Sequence, residues 1–383
     1  MARLLMMTDF SKSYTNRLLR GIMHYSKGQT PWVVAKVPLA LRDTGRLEEV
    51  VRFAESWKAD AIIGQFRASD PVEAFTEKGI ITIALNYERP FTSIPNIKGN
   101  YAMEGRICAD YFISKDVHNF AFFGIRGLAW SDSRRDAFLG EIRRRVPEHT
   151  ESVFEEEAQE AWWYDSGKLV SWLSGLPKPV AILACDDDRA YYIVEAAMVS
   201  GKEGLWIPED IMVLGVHDNK DICELCEPSI SSLHIDVEDA GYRTGELIDR
   251  LLADPGAPVE DIVIKPLRIH SRRSTQAVVY RNKYVEKVIN YVMKNPGRGL
   301  LVDELIGLVP QSRRAFEVTF KAETGMTIHQ FIIRMRVERM KELLESGIMP
   351  TEAADSLGID YNTIARNFKA LTGETPSKYS GKK

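Results

Sequence analysis

The sequence predicts an α/β body of two lobes, each built on a parallel sheet, followed by an all-α tail with two helix-turn-helix motifs. Three observations carry that expectation. Short apolar runs alternate with helical patterns through the first two thirds of the chain, as parallel strands covered by helices do. The pattern begins afresh around Phe120, which fits two lobes better than one. From Leu301 to Tyr379 one local pattern, short helix, tight turn, second helix, occurs twice. The expected domains are residues 1–275 and 276–383.

Taken in order, Leu4 to Thr8 read as a buried strand and Ser13 to Ser26 as an amphipathic helix. Further strands are expected at Trp32–Val37, Ala61–Gly64, Ile80–Leu85, Phe120–Gly124, Val180–Cys185 and Ile211–Val216. Helices are expected at Glu48–Trp57, Tyr101–Ser114, Arg134–Val146, Lys168–Leu173, Arg189–Ser200 and Val237–Ala253. The acidic run Glu155-Glu156-Glu157 reads as a solvated surface.

In open parallel sheets ligands sit beyond the carboxyl ends of the strands. Those positions are rich in polar and aromatic side chains here. They are Tyr14, Thr15 and Asn16 after the first strand, and Trp130 and Arg134 after Phe120–Gly124. Asp186 follows Val180–Cys185, and His217 and Asp218 follow Ile211–Val216. A sugar needs paired donors and acceptors for its hydroxyls and an aromatic face for its C–H side, and this set supplies both. Each residue taken singly could equally be a helix cap or a loop polar group.

In the tail, Val302 to Ile306 and Thr351 to Leu357 read as the short first helices. Ser312 and Asp360 are the expected N-caps of the second helices, and Gly325 and Gly373 the expected stops. Phe316 and Phe320 share one face, as do Ile364, Phe368 and Leu371. The other faces carry Arg313, Arg314 and Lys321, then Asn362, Thr363, Arg366 and Lys369, with Ser312 and Tyr361 at the helix starts. A long amphipathic helix between the copies, within Thr327 to Gly347, would hold both second helices against one side of a DNA duplex.

The net charge of −4 hides an asymmetry. From Ala277 onward there are 17 basic and 12 acidic side chains, a balance of +5; the rest holds 33 and 42, a balance of −9. A basic tail on an acidic body points to a polyanion for the tail alone. Four cysteines in 383 residues make no disulfide framework, and a reduced cytoplasm is the expected compartment. The apolar start, MARLLMMTDF, is too short for a signal peptide or a membrane span, and no membrane partner is expected. Cys223-x-x-Cys226 lacks the second pair that a structural zinc site needs, so no metal or cofactor is expected.

The tail resembles the DNA-binding domain of AraC-family transcription activators. The residues carrying this are Ser312…Phe316…Phe320-Lys321…Gly325, then Ala354…Gly358…Arg366-Asn367-Phe368-Lys369…Gly373-Glu374-Thr375-Pro376…Tyr379. Val318 stands where that family usually has a basic residue, and the step from Gly358 to Phe368 is one residue shorter than usual. The body resembles the sugar-binding core of lac-repressor-type regulators, itself similar to periplasmic sugar-binding proteins. Leu18-Leu19-Arg20-Gly21-Ile22, Ala184-Cys185-Asp186-Asp187, Val213-Leu214-Gly215, Ser231-Ser232-Leu233 and Arg272-Arg273-Ser274-Thr275 are among the matching pieces. By that resemblance Arg134 would hold sugar oxygens, Asp186 and Asp218 would accept from hydroxyls, and Trp130 would stack. Thr15 stands where the pattern has an acid, and His217 where it has an Asp.

Together these resemblances imply a sugar-responsive, sequence-specific DNA-binding regulator, an activator of genes for a pentose of the xylose kind. Its implied partners are double-stranded DNA, a small sugar, RNA polymerase and a second copy of the chain. The rival class is a sugar-processing enzyme or a sugar carrier with an appended interaction tail. The sequence shows no nucleophile elbow, no Walker-type loop and no dinucleotide fingerprint, and the basic twin-motif tail disfavours an enzyme.

Overall fold

The computed structural model describes all residues except 1, 28–30, 158–163, 201–204, 277–281, 296–299, 346 and 381–383. The chain divides into one unit over Met1–Ala277 and another over Val278–Lys383.

The first unit holds two six-stranded sheets. The first lobe opens with β1 (Arg3–Met7), α1 (Ser13–Lys27), β2 (Val33–Val37), α2 (Leu39–Asp43) and α3 (Leu47–Ser56). It continues with β3 (Ala61–Gly64), α4 (Glu73–Thr76), β4 (Ile81–Leu85) and β5 (Asn96–Gly99). The chain then enters the second lobe with α5 (Tyr101–Ile113), β6 (Asn119–Arg126), α6 (Ala129–Arg145), β7 (Thr150–Glu157), α7 (Ser166–Gly175) and β8 (Val180–Ala184). There follow α8 (Asp187–Ser200), β9 (Ile211–Val216), α9 (Lys220–Cys223) and β10 (Ser231–Ile235). It returns to the first lobe for α10 (Val237–Ala253) and β11 (Ile262–Ile264), and crosses once more into β12 (Pro266–His270).

The sheets run β11-β5-β4-β3-β1-β2 and β12-β10-β9-β8-β6-β7. Every pairing is parallel except β10 with β12. The central strands β3, β8 and β9 are buried along their whole length, as strands covered on both faces must be. The three crossings between lobes are tied to each other. Asn100 N donates to Ile264 O at 3.1 Å, and Asp236 N donates to Lys265 O at 2.8 Å. Asn100 and Asp236 also cap α5 and α10 with their side chains, so the crossings and the helix starts are one structure. Helices α1 and α10 pack at very close range. A Cβ on Gly241 would stand 2.2 Å from Leu18 O, and one on Gly21 would stand 2.0 Å from Glu238 O.

Four short strands, β5, β10, β11 and β12, and the longer β7 went unpredicted, and the reading of Glu155–Glu157 as a solvated run is corrected for Glu155 and Glu156. These residues form the end of β7. The Glu155 side chain is only 8% exposed and pairs with Arg135, and Glu156 pairs with Arg189 at 3.3 Å.

Among the described residues the second unit has helices and no strand: α11 (Lys283–Lys294), α12 (Val302–Ile306), α13 (Arg313–Thr324), α14 (Ile328–Glu345), α15 (Pro350–Ser356), α16 (Tyr361–Thr372) and α17 (Pro376–Ser380). The connecting helix α14 has 18 residues, about 27 Å at ~1.5 Å per residue, and Ser346 of the expected stretch lies outside the described residues. Its two ends serve two separate cores. Phe316, Phe320 and Phe331 pack edge to face in the first, and Val337, Met340, Ile364 and Phe368 pack in the second. The two copies end alike: Gly325 and Gly373 take positive φ of 71° and 83°. The preceding Thr324 and Thr372 each bond back to a carbonyl one turn earlier at 2.7 Å. Among the described residues no helix is long and apolar enough to cross a membrane.

Candidate functional site

The carboxyl ends of β1, β4, β6, β8 and β9 face one cleft between the lobes. The first helix starts just past β1 and brings Tyr14 there, 5.6 Å ring to ring from His217. The second lobe brings Arg134, from the first half of α6. Its guanidinium is 3% exposed and lies 5.7 Å from the Tyr101 ring and 5.8 Å from the Trp130 ring. Its Nε donates to Glu104 Oε2 at 2.7 Å, and its Nη1 donates to Cys185 O. Burial by itself would lower this guanidinium, but the adjoining Glu104 carboxylate more than reverses that and holds it raised.

Asp186 lies beside this group at the start of α8. It accepts from Arg189 N at 2.8 Å and pairs with Arg189 Nη1 at 3.3 Å. Burial is the largest influence and pushes its carboxyl up, but the Arg189 charge, the Arg189 backbone N–H and the Lys12 charge together outweigh it and leave it below the ordinary range. His217 is pushed down to about 3, first by burial and then by the Arg134 charge, so it is neutral at pH 7. Three acceptors around this cleft, Asn86 Oδ1, Glu104 Oε1 and Glu156 Oε1, are buried and accept no hydrogen bond from any described residue. A buried acceptor left without a donor costs about 1–3 kcal/mol, so each is suited to a ligand hydroxyl.

Five of the eight sequence-derived cleft residues, Tyr14, Trp130, Arg134, Asp186 and His217, are thus brought together. Three are not. Thr15 is 2% exposed and accepts from Thr8 Oγ1 at 3.2 Å, because it falls on the inward face of α1. Asn16 is exposed and donates to Phe10 O and Lys12 O, closing the loop before the helix. Asp218 turns away from the cleft altogether. His217 and Asp218 have positive φ of 103° and 56°, so consecutive side chains leave in different directions. Asp218 pairs with Arg272 at 2.8 Å and accepts from His270, and its carboxylate faces His234 at 3.3 Å. Burial would raise that carboxyl, yet these partners depress it strongly.

Asp218, His234 and His270 present ligand-type atoms within 4.8 Å of one another. The surrounding charge opposes a cation. Arg268 Nε donates to His270 Nε2 at 2.7 Å, and Arg17 Nη2 stands 3.4 Å from His234 Nε2. With Arg272 on the carboxylate, three guanidiniums fill the positions a metal's charge would need empty. His270, with Nε2 accepting, carries its proton on Nδ1, where it donates to Asp218.

Sequence reading missed Asn86, Tyr101 and Glu104. Glu104 lies in the first turn of α5, where an acid ordinarily marks the positive end of the helix dipole. The one available signal is Gly105. A Cβ there would meet Ala137 C at 2.5 Å, so α5 and α6 approach closely and Glu104 reaches Arg134.

In the helical unit, Ser312 Oγ accepts from Ala315 N at 3.4 Å and Asp360 Oδ2 accepts from Thr363 N at 2.9 Å, which caps α13 and α16 as second helices. Arg313, Arg314 and Lys321 are exposed on α13, and Asn362, Thr363, Arg366 and Lys369 on α16. Arg313 is engaged locally, with Asp303 and with Glu317 at 2.9 Å. Tyr361 is half-buried, with its hydroxyl 3.0 Å from Ser377 Oγ. Val318, on the same outer face as Arg314 and Lys321, is 66% exposed.

Residues 109–275 match the periplasmic binding protein-like domain, and residues 309–382 match a helix-turn-helix domain. The xylose operon regulatory protein of Escherichia coli (strain K12) is 26% identical over 393 residues, covering 98% of this chain and 96% of its own. The protein of the same description from Haemophilus influenzae is 26% identical, covering 90% and 88%. Among solved structures, that of a xylose-binding transcription activator superposes with a TM-score of 0.68 at 23% identity, covering 99% of this chain and 97% of that one. A LacI family transcriptional regulator from Enterococcus faecium, with bound ribose, superposes with a TM-score of 0.58 at 17% identity, covering 72% and 98%. Two domains matched in this order, and relatives matched over nearly the whole of both chains, place this chain among the transcription regulators that join a periplasmic binding protein-like domain to an AraC-type helix-turn-helix domain.

Proposed function

We propose that the chain senses a pentose of the xylose kind and, in response, activates genes for its catabolism by binding their promoters. The observation that carries this is the buried Arg134–Glu104 pair, flanked by aromatic rings and by acceptors that lack donors, at the carboxyl ends of the strands. A sugar hydroxyl can donate to Glu104 Oε1 or Asn86 Oδ1 and accept from Arg134, while Trp130 or Tyr14 covers a C–H face. His217, held neutral, can donate or accept. Asp186 accepts. The end-to-end likeness to regulators described as acting on a xylose operon supports the choice of a pentose.

The tail is then the DNA reader. Arg314 and Asn362 suit guanine and adenine edges, with Arg313 and Thr363 beside them. Ser312, Lys321, Tyr361, Arg366 and Lys369 suit phosphate, which fixes register and affinity without reading sequence. A homodimer would present its tails to paired half-sites, with RNA polymerase as the downstream partner, in the cytoplasm.

A thermal-shift panel of pentoses and hexoses on the full-length chain tests the sensing half. D-xylose at about 100 times its Kd should add roughly 2.7 kcal/mol of stability, several times more than hexoses at the same concentration. No shift with any pentose would overturn the reading.

A further inference from the structure

The strained turn His217–Asp218 joins two places. His217 faces Tyr14 in the cleft, and its carbonyl accepts from Arg17 Nη1 of the opposite lobe at 2.7 Å. The same guanidinium donates through Nη2 to Ile235 O, at the crossing into α10, at 2.7 Å. One residue further, Asp218 points the other way and holds Arg272 at 2.8 Å. Its backbone N–H donates to Ser232 Oγ, which donates in turn to Asp187 Oδ1.

Arg272 begins the last described stretch before the helical unit. Further bonds join that stretch to the second lobe. Arg272 Nη1 donates to Ile230 O at 3.0 Å, and Arg272 N donates to Ser231 Oγ at 2.7 Å. Ser274 N donates to Ser229 O at 2.9 Å, and the Ser274 hydroxyl donates to Val213 O on β9. Thr275 Oγ1 lies 2.6 Å from both Ser231 Oγ and Tyr111 OH. Asp218 is therefore the only residue of the turn that touches this stretch, among the described residues, while its neighbour touches the cleft. Its side chain is 2% exposed, so it cannot exchange Arg272 for water when the turn moves.

We propose that Asp218 and Arg272 are positioning residues that carry lobe closure from the His217 turn to the chain entering the helical unit. Closure moves Arg17 with the first lobe; Arg17 holds the His217 carbonyl; the turn then repositions the Asp218 carboxylate, and Arg272 follows it with the exit stretch. The imidazoles of His234 and His270 keep the carboxylate charged and oriented from β10 and β12. The inference rests on the functional reading above, in which a bound sugar controls DNA affinity.

The test compares full-length wild type with Arg272→Met, Asp218→Asn and, as a surface control, Arg143→Met. Calorimetry gives the D-xylose Kd, and fluorescence anisotropy gives the Kd for a promoter fragment with and without D-xylose. Wild type and the Arg143 variant should change DNA affinity by about 5–150-fold on adding sugar. Arg272→Met and Asp218→Asn should reduce that ratio to below about 2-fold, with D-xylose Kd and sugar-free DNA Kd each within about 3-fold of wild type. A wild-type ratio in both variants would overturn the inference, and so would loss of D-xylose affinity, which would return Asp218 to the cleft. A wild type that binds neither D-xylose nor DNA would instead overturn the functional reading, and the inference with it.

Discussion

Arg134 both completes a buried charge pair and offers donors to the cleft, and substitutions can separate the two roles. Arg134→Ala leaves Glu104, 0% exposed, as an uncompensated buried charge, which should cost about 3–5 kcal/mol of stability and abolish the response to sugar. Adding Glu104→Leu to Arg134→Met should restore most of the stability, read by chemical denaturation, without restoring the sugar response. His217 gives a pH dependence. Its folded-state value of about 3 lies below the ordinary 6.5, so the unfolded chain takes up a proton first as pH falls. Its contribution is whole above about pH 6.5 and is lost progressively towards pH 3. His217→Gln should therefore flatten the fall in denaturation free energy across that window; an unchanged slope would mean that His217 titrates normally. Arg134, Trp130 and Asp186 were legible in the sequence because polar residues just past an apolar run lie at a sheet's mouth. Asn86 and Glu104 were not, since nothing local separates a cleft carboxylate from a helix-capping one. Asp218 was misplaced because no glycine marks the positive φ at His217 and Asp218, and that backbone, which costs about 1–3 kcal/mol per strained residue, sends the two side chains apart.

Helices α13 and α16 are built alike, so they should fail alike. Ser312→Ala and Asp360→Ala each remove a cap and should cost about 0.5–2 kcal/mol. Phe320→Ala and Phe368→Ala empty fully buried sites and should cost about 3–5 kcal/mol, each loosening its own copy first, as hydrogen exchange would show. On the outer face, Arg314→Ala should cost about 1–3 kcal/mol at one base position, and Lys369→Ala should weaken all sequences equally and reduce the salt slope by about 1. The caps and the stops were readable because helix ends are written locally in Ser, Asp and Gly, and Phe316, Phe320, Ile364 and Phe368 because they recur at helical spacing; Leu371, read onto the same face, is 54% exposed. Strand β7 was not readable. It lies at the edge of its sheet, where the exposed Glu151 and Glu157 suit an edge that must not recruit another strand, and with Glu155 and Glu156 turned to arginines its acidic sequence hides the apolar alternation. Strand β11, three residues long, is too short for any period to show.

At the scale of the molecule, restarting periodicity foretold two lobes, but not how the chain is shared between them. Only Lys265 separates β11 from β12, yet these strands complete different sheets. Such pairing is decided by partners far away in sequence, Asn96–Gly99 for one and Ser231–Ile235 for the other, so no local signal encodes it. The three crossings nevertheless lie side by side, bonded to one another through Asn100 N to Ile264 O and Asp236 N to Lys265 O. A sensing body and a basic helical tail in one chain make sense if the first governs the second. The most direct test is anisotropy titration of a promoter fragment with the full-length protein, across a salt series, with and without D-xylose. Three phosphate contacts per tail, at Lys321, Arg366 and Lys369, should give a log–log salt slope of about −2.7 or steeper, and D-xylose should shift the affinity at every salt concentration. Binding that ignores salt, or that is identical with and without every pentose, would contradict the account.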